Sequence, residues 1–157
     1  MDIDVGEGKP YAKRSEALKA VVAFSDAVDL PRPYVVRSGD GLHIYWPLDL
    51  DIAPGEWKPA AQMLKEAAKR HGLAQDPSRT ADEASILRPV GSTHRKADPK
   101  PVKMVMDGQV TTFEVVQAVL AAYLGVQAPV ALGTLPAGLP QALNSDLSGG
   151  MEYPPAF

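Results

Sequence analysis

"YVVRSGDGLHIYWPL", residues 34–48, decides how this chain folds. β-branched and aromatic residues stand on both sides of Ser38-Gly39-Asp40-Gly41, and that is a hairpin signal: two short strands around a tight turn. Side chains alternate along a strand, so Leu42, Ile44 and Trp46 face one way and His43 and Tyr45 the other. A histidine inside an apolar run then needs a partner. Buried hydrogen bonding to backbone is the ordinary solution. Gly39 and Gly41 add a second one, because they let another group, a phosphate included, approach the backbone closely.

Working outward, "MDIDV" at residues 1–5 alternates acidic with apolar residues and reads as a strand. Asp2 and Asp4 then share a face, and it can be the face of His43. Two carboxylates so close repel unless a cation lies between them, whereas a solvated strand end accounts for them without one. "SEALKAVVAFSDAV" (15–28) has helical spacing with Ser15 as N-cap, and "DLPRP" stops it. "EWKPAAQMLKEAAKRHG" (56–72) is a second helix ending at Gly72. "VKMVM" (102–106) is a strand followed by an Asp107-Gly108 turn. "TFEVVQAVLAAYLG" (112–125) is a third helix.

The order β-α-β-β-α-β-α predicts an α+β fold, a split βαβ, RNA-recognition-motif-like antiparallel sheet covered by helices. Residues 1–125 form the folded module. Residues 126–157, with Pro129, Pro136, Pro140, Pro154 and Pro155 and only Asp146 and Glu152 charged, read as linker or tail.

Bulk properties narrow the function. The chain has 157 residues, 45% hydrophobic and 22% charged, with net charge −3 and no cysteine. One domain with a core is expected. Disulfides and thiolate metal sites are excluded, so any metal is held by oxygen or imidazole. The net charge does not announce a nucleic-acid binder, so any basic surface is local. No apolar run approaches the roughly 18 residues of a membrane span, and no secretory leader opens the chain. No membrane partner and a cytoplasmic location are expected.

The third cluster is "DPSRTADEASILRPVGSTHRK", residues 76–96. It supplies Asp76 and Asp82, then Arg88, His94, Arg95 and Lys96 around a Gly-Ser-Thr turn. A solvated basic loop is one reading. A clamp for triphosphate oxygens is the other. Alone, none of these patterns specifies a reaction. Together they make an acidic strand, a hairpin histidine, a third acid and a basic loop, which is what two-metal nucleotidyl transfer requires.

These segments resemble the archaeo-eukaryotic primase superfamily, and within it the bifunctional DNA primase–polymerase domain of phages, plasmids and mobile elements. "DIDV" is similar to that family's first motif, "VVRSGDGLHIYW" to its second, and "LAQDPSRTADEASILRPVGSTHRK" to its third, over roughly residues 1–105. The resemblance implies that Asp2, Asp4 and Asp76 hold catalytic Mg²⁺ or Mn²⁺. Asp82 is the alternative third acid. Asp76 is preferred because the family's acid ends a short strand and "GLAQD" looks like one. It implies that His43 touches the phosphates of the incoming nucleotide and takes part in catalysis. Ser38, Gly39 and Gly41 would admit the nucleotide, and Arg88 and Lys96 would complete the phosphate contacts.

The implied activity is primer synthesis or DNA polymerisation in replication of a phage or mobile element. The implied partners are nucleoside triphosphates, a single-stranded DNA template and a replicative helicase domain. The family carries a further α/β unit before the first motif, so this chain reads as the C-terminal half of the catalytic core, truncated at its N-terminus. An uncovered strand edge and an exposed apolar patch near residues 1–5 are expected. Two alternatives remain at this level: a non-catalytic RNA-recognition-like module that binds nucleic acid or a partner, and an unrelated ferredoxin-like enzyme.

Overall fold

A computed structural model describes residues 1–85, 87–95 and 98–128. Its elements are β1 (Asp2–Ile3), α1 (Arg14–Val28), β2 (Tyr34–Arg37), β3 (Leu42–Tyr45), α2 (Pro54–His71), β4 (Thr93–His94), β5 (Lys100–Pro101), β6 (Lys103–Met106) and α3 (Phe113–Leu124). β1, β3, β2 and β6, in that spatial order, form a four-stranded sheet, and β4 and β5 form a separate hairpin. Every pairing between named strands is antiparallel. The fold is α+β, with an antiparallel sheet and three helices.

The hairpin at the centre follows the sequence. Val35 pairs with Ile44, and Val36 with His43. The Ser38 N–H donates to the Gly41 carbonyl at 3.0 Å and closes the turn. β1 and β2 run parallel to one another with β3 between them, the split βαβ arrangement. The second crossover departs from a ferredoxin-like sheet. There the last strand flanks the first, whereas here β6 lies outside β2 and leaves β1 at the opposite edge.

Ile3, Val35, Leu42 and Ile44 bury one face of the sheet against Val21, Phe24 and Val28 of α1, Ala67 and Ala68 of α2, and Leu120 of α3. Fully burying an aliphatic or aromatic side chain of this size stabilises by about 1.5–3 kcal/mol. Asp2, Val36, His43, Tyr34, Tyr45 and Met104 belong to the other face by register. One end of α1 and both ends of α3 carry clear stop or start signals. Asp29 and Gly125 take left-handed conformations at the C-caps, and the Thr112 hydroxyl accepts the Val115 N–H at 3.3 Å. No helix among the described residues is long and apolar enough to cross a membrane.

Several expectations are corrected. α1 starts at Arg14, because the Glu16 carboxylate accepts the Lys13 N–H at 3.1 Å and Lys13, not Ser15, occupies the N-cap. "GLAQD" forms no strand. Residues 73–76 are irregular; Leu73 packs into the core, and the Asp76 N–H donates to the Asp2 carbonyl at 2.8 Å. No exposed apolar patch lies at residues 1–5: Ile3 is fully buried and Val5 nearly so. The basic stretch contains the β4–β5 hairpin, which sequence pattern did not reveal. Of the expected tail, residues 129–157 lie outside the described residues.

Candidate functional site: an acidic corner at β1 and β3

β1 is short, and its register places each side chain. Asp2 is the direct partner of His43 on β3. The Asp2 Oδ1 lies 3.7 Å from the His43 Nε2. On the other side of the ring, the Tyr45 hydroxyl lies 3.4 Å from Nδ1. His43 is only 2% exposed. Burial first, then the positive amino terminus and the Arg88 guanidinium, push its pKa down from 6.5 to about 4, so the ring is neutral at physiological pH. Asp2 is shifted upward. Burial is the largest cause, followed by the negative charge of Asp4. Asp76 acts in the same direction, while the amino terminus and Arg79 oppose it.

Asp76 is brought to this corner by backbone. Its N–H donates to the Asp2 carbonyl. Its carboxylate accepts from the Ser78 Oγ at 2.6 Å and the Ser78 N–H at 2.8 Å, and the Ser78 hydroxyl is the main reason its pKa is lowered. Asp82 behaves differently. It caps its own turn, accepting from Ser85 and Ala84, and its charge is not among those that act on Asp2. Asp4 lies just past the end of β1, and its carboxylate meets the Lys9 ammonium at 2.8 Å in solvent. Among the described residues, no three acidic or histidine side chains are gathered into a metal-binding group. Asp4 and Asp76 each have their own donor, and their charges press on Asp2.

The turn glycines have a structural use. A Cβ on Gly41 would stand 2.5 Å from the Ile3 carbonyl oxygen, and one on Gly39 2.6 Å from the His94 Nδ1. Gly39 also has φ +122°, which disfavours any side chain there. The close approach they permit is made by β1 and the β4–β5 hairpin. Ser38 is buried beside them. Asp40, at the tip, is ion-paired with Lys100 of β5, which holds its carboxyl below the usual range. Arg88 is exposed, and its charge reaches His43. Lys96 lies outside the described residues.

Sequence reasoning missed one feature. A cavity of about 590 Å³ opens near the far end of β3, lined by Tyr34, Tyr45, Trp46, Trp57, Phe113 and Thr80 among others. Its aromatic residues come from strand, loop and two helices, so no local pattern announces it. Tyr45 belongs to both places: its ring lines the cavity and its hydroxyl faces His43. Compared with known proteins, the chain matches no family model, no curated protein and no solved structure.

Proposed function

We propose that this chain is a primase–polymerase-type module that carries out template-directed nucleotidyl transfer from nucleoside triphosphates on single-stranded DNA, in replication of a phage or mobile element. One observation supports this reading above the others. Three separate segments that resemble one family's motifs meet at a single corner, through the Asp2–His43 cross-strand pair and the Asp76–Asp2 hydrogen bond. Asp2, Asp4 and Asp76 would hold Mg²⁺ or Mn²⁺, with Asp2 central because both other acids raise its pKa. Bound there, the ions would supply charge stabilisation for the attacking and leaving oxygens. Arg88, whose charge reaches His43, and Lys96 would hold the triphosphate. The further partners in this reading are a replicative helicase domain or an N-terminal half of the catalytic core.

The test is primer synthesis and extension on single-stranded DNA with Mn²⁺ and either ribo- or deoxyribonucleotides, comparing the chain with Asp2→Asn and Asp76→Asn. Extension by the wild type alone is the expected result. Extension that survives both substitutions rejects the reading.

A second reading has its own observation. Asp4 and Asp76 are already partnered by Lys9 and Ser78, and three acids are not gathered. A non-catalytic module that binds single-stranded nucleic acid or a replication partner would need no ion at this corner. Retained DNA binding without Mn²⁺ binding would favour it.

A further inference from the structure

We propose that the surface around the turn at residues 38–41, built from Arg14, Arg37, Lys100 and Lys103, binds the phosphodiester backbone of single-stranded DNA. The choice of a nucleic-acid strand rests on the functional reading above, catalytic or not; the demand for an anion does not.

Cations reach this turn from α1, β2, β5 and β6. The Arg14 Nη1 of α1 donates to the Gly39 carbonyl at 3.5 Å. Lys100 of β5 is ion-paired with Asp40, and the His94 ring of β4 packs on Gly39. Arg37, the last residue of β2, is the register partner of Lys103 on β6. Asp40 is the acid among them, and Lys100 first, then Arg14 and His94, hold its carboxyl below the usual range. One carboxylate already paired with Lys100 does not offset Arg14, Arg37 and Lys103. In a chain of net charge −3, this is a segregated basic patch.

Three placements here are unfavourable without an anion. Like charges on directly opposed strand residues destabilise a sheet, and Arg37 faces Lys103. Cations at a helix N-terminus oppose its dipole, yet α1 begins with Lys13 at the N-cap and Arg14 after it, while the Glu16 carboxylate is taken by the Lys13 N–H. Buried polar nitrogens ordinarily have partners, and among the described residues two buried side-chain nitrogens have none: the Arg37 Nε and the His94 Nδ1. Arg37 precedes Ser38 and His94 lies on Gly39, so both stand at the same turn. Among the described residues, no salt bridge joins Arg14, Arg37 or Lys103 to an acid.

An anion at this turn relieves all three, and the layout selects a long one. The cations stand on separate elements rather than round one point. A cleft of about 470 Å³ extends the surface past Asp40, between Val5 and Gly6 on one side and residues 12–15 on the other, with Lys13 and Arg14 in its wall. A single phosphate meets a few of these groups; a strand backbone, with one charge per nucleotide, meets them in succession. No aromatic ring lines the cleft, so contact here is with the backbone and carries no base sequence.

The experiment is metal-free fluorescence anisotropy of the full chain with labelled oligo(dT), repeated over a series of salt concentrations. Arg37→Gln with Lys103→Gln is compared with Lys65→Gln with Lys69→Gln on α2, a double variant of the same net charge. The wild type is expected to bind in a salt-dependent manner. The Arg37/Lys103 variant is expected to lose about tenfold or more in affinity, and its slope of log affinity against log salt to fall by about 1.4, roughly 0.7 per lost phosphate contact. The α2 variant is expected to stay within about twofold, since its charges are screened from this turn. Without DNA, the Arg37/Lys103 variant is expected to melt higher than the wild type, because a like-charge pair is gone. Equal losses in the two double variants, a wild type that binds no DNA, or a lower Tm in an Arg37/Lys103 variant with a native amide spectrum overturns the proposal. So does displacement of the strand by polyglutamate of the same charge, which assigns the surface to acidic peptides, or by metal-free ATP at the strand's own affinity, which assigns it to the free triphosphate. Primer extension separates this surface from the functional reading. A chain that binds DNA through Arg37 and Lys103 but extends no primer rejects catalysis and keeps the surface; extension together with unweakened binding in the Arg37/Lys103 variant keeps catalysis and rejects the surface.

Discussion

The two ends of β3 have been built in opposite ways. At the Leu42–His43 end, strand register places Asp2 against His43, and the charges of Asp4 and Asp76 press on Asp2. At the Tyr45–Trp46 end, aromatic rings from strand, loop and helices surround open space. The first end is full and electrostatically tense. The second is empty and apolar. Interiors tolerate few voids larger than a water molecule, and buried charges are rarely left beside like charges. Each end therefore departs from an ordinary core in its own way, and the two are joined through Tyr45.

The largest expected effect separates the ends by ion dependence. Asp2→Asn should lower Mn²⁺-dependent extension by roughly 100-fold or more, since several kcal/mol of charge stabilisation depend on the ion. The same substitution should raise Tm in metal-free buffer. Burial and the neighbouring acids disfavour ionised Asp2 in the folded state, and an asparagine does not ionise. Calorimetry with and without Mn²⁺ checks both signs; a lower Tm without metal would show that the corner is not tense.

The pH dependence is next. Folded His43 has its pKa lowered to about 4, so the unfolded chain takes up the proton first. Stability from this residue is complete above pH 6.5 and is lost as pH falls from 6.5 towards 4, by up to about 3 kcal/mol. Asp2, whose pKa is raised, works the other way over the acid end of that window. Urea unfolding across pH 4–7 should show the decline in the wild type and a flatter curve in His43→Gln.

Gly41→Ala is expected to cost about 1–3 kcal/mol, the range for forcing extra atoms into packed structure, because the atom it meets is the backbone oxygen of Ile3. Denaturant midpoints measure this, and a neutral result would mean that β1 is not held where described. At the empty end the sign reverses. Ala61→Leu, on the cavity wall, should gain about 0.5–2 kcal/mol by filling space. The smallest effect is Lys9→Ala. Its pair with Asp4 is about half exposed on both sides and screened by solvent, so thermal unfolding should barely move.

What could be read in advance follows from how local each feature is. The β2–β3 hairpin and the three helices rest on periodicity, glycine turns and caps within a few residues, and all were legible. That His43 could share a face with Asp2 was legible from alternation, but the register that makes them direct partners was not. Asp4 lies just past β1, which ends at Ile3, and its pairing with Lys9 is a contact that strand alternation does not show. Asp76 was named for a strand that does not form; it reaches β1 through one backbone hydrogen bond. The β4–β5 hairpin has two-residue strands and is tied down by the Lys100–Asp40 pair, 60 residues apart in sequence. The cavity depends on side chains from four parts of the chain, and no window contains it.

The hydrogen bond from Asp76 to Asp2 also bears on how copies of this chain would meet. An unpaired outer strand is a template on which another chain can lengthen the sheet. The Asp76 N–H occupies the outward carbonyl of Asp2 and blunts that template on the β1 side. β6, at the opposite border, shows Met104 and Val105 about half exposed beside the solvated Lys103. Self-association at high concentration should therefore begin at residues 103–106, and a second charge there, as in Val105→Lys, should keep the protein monodisperse where the wild type is not.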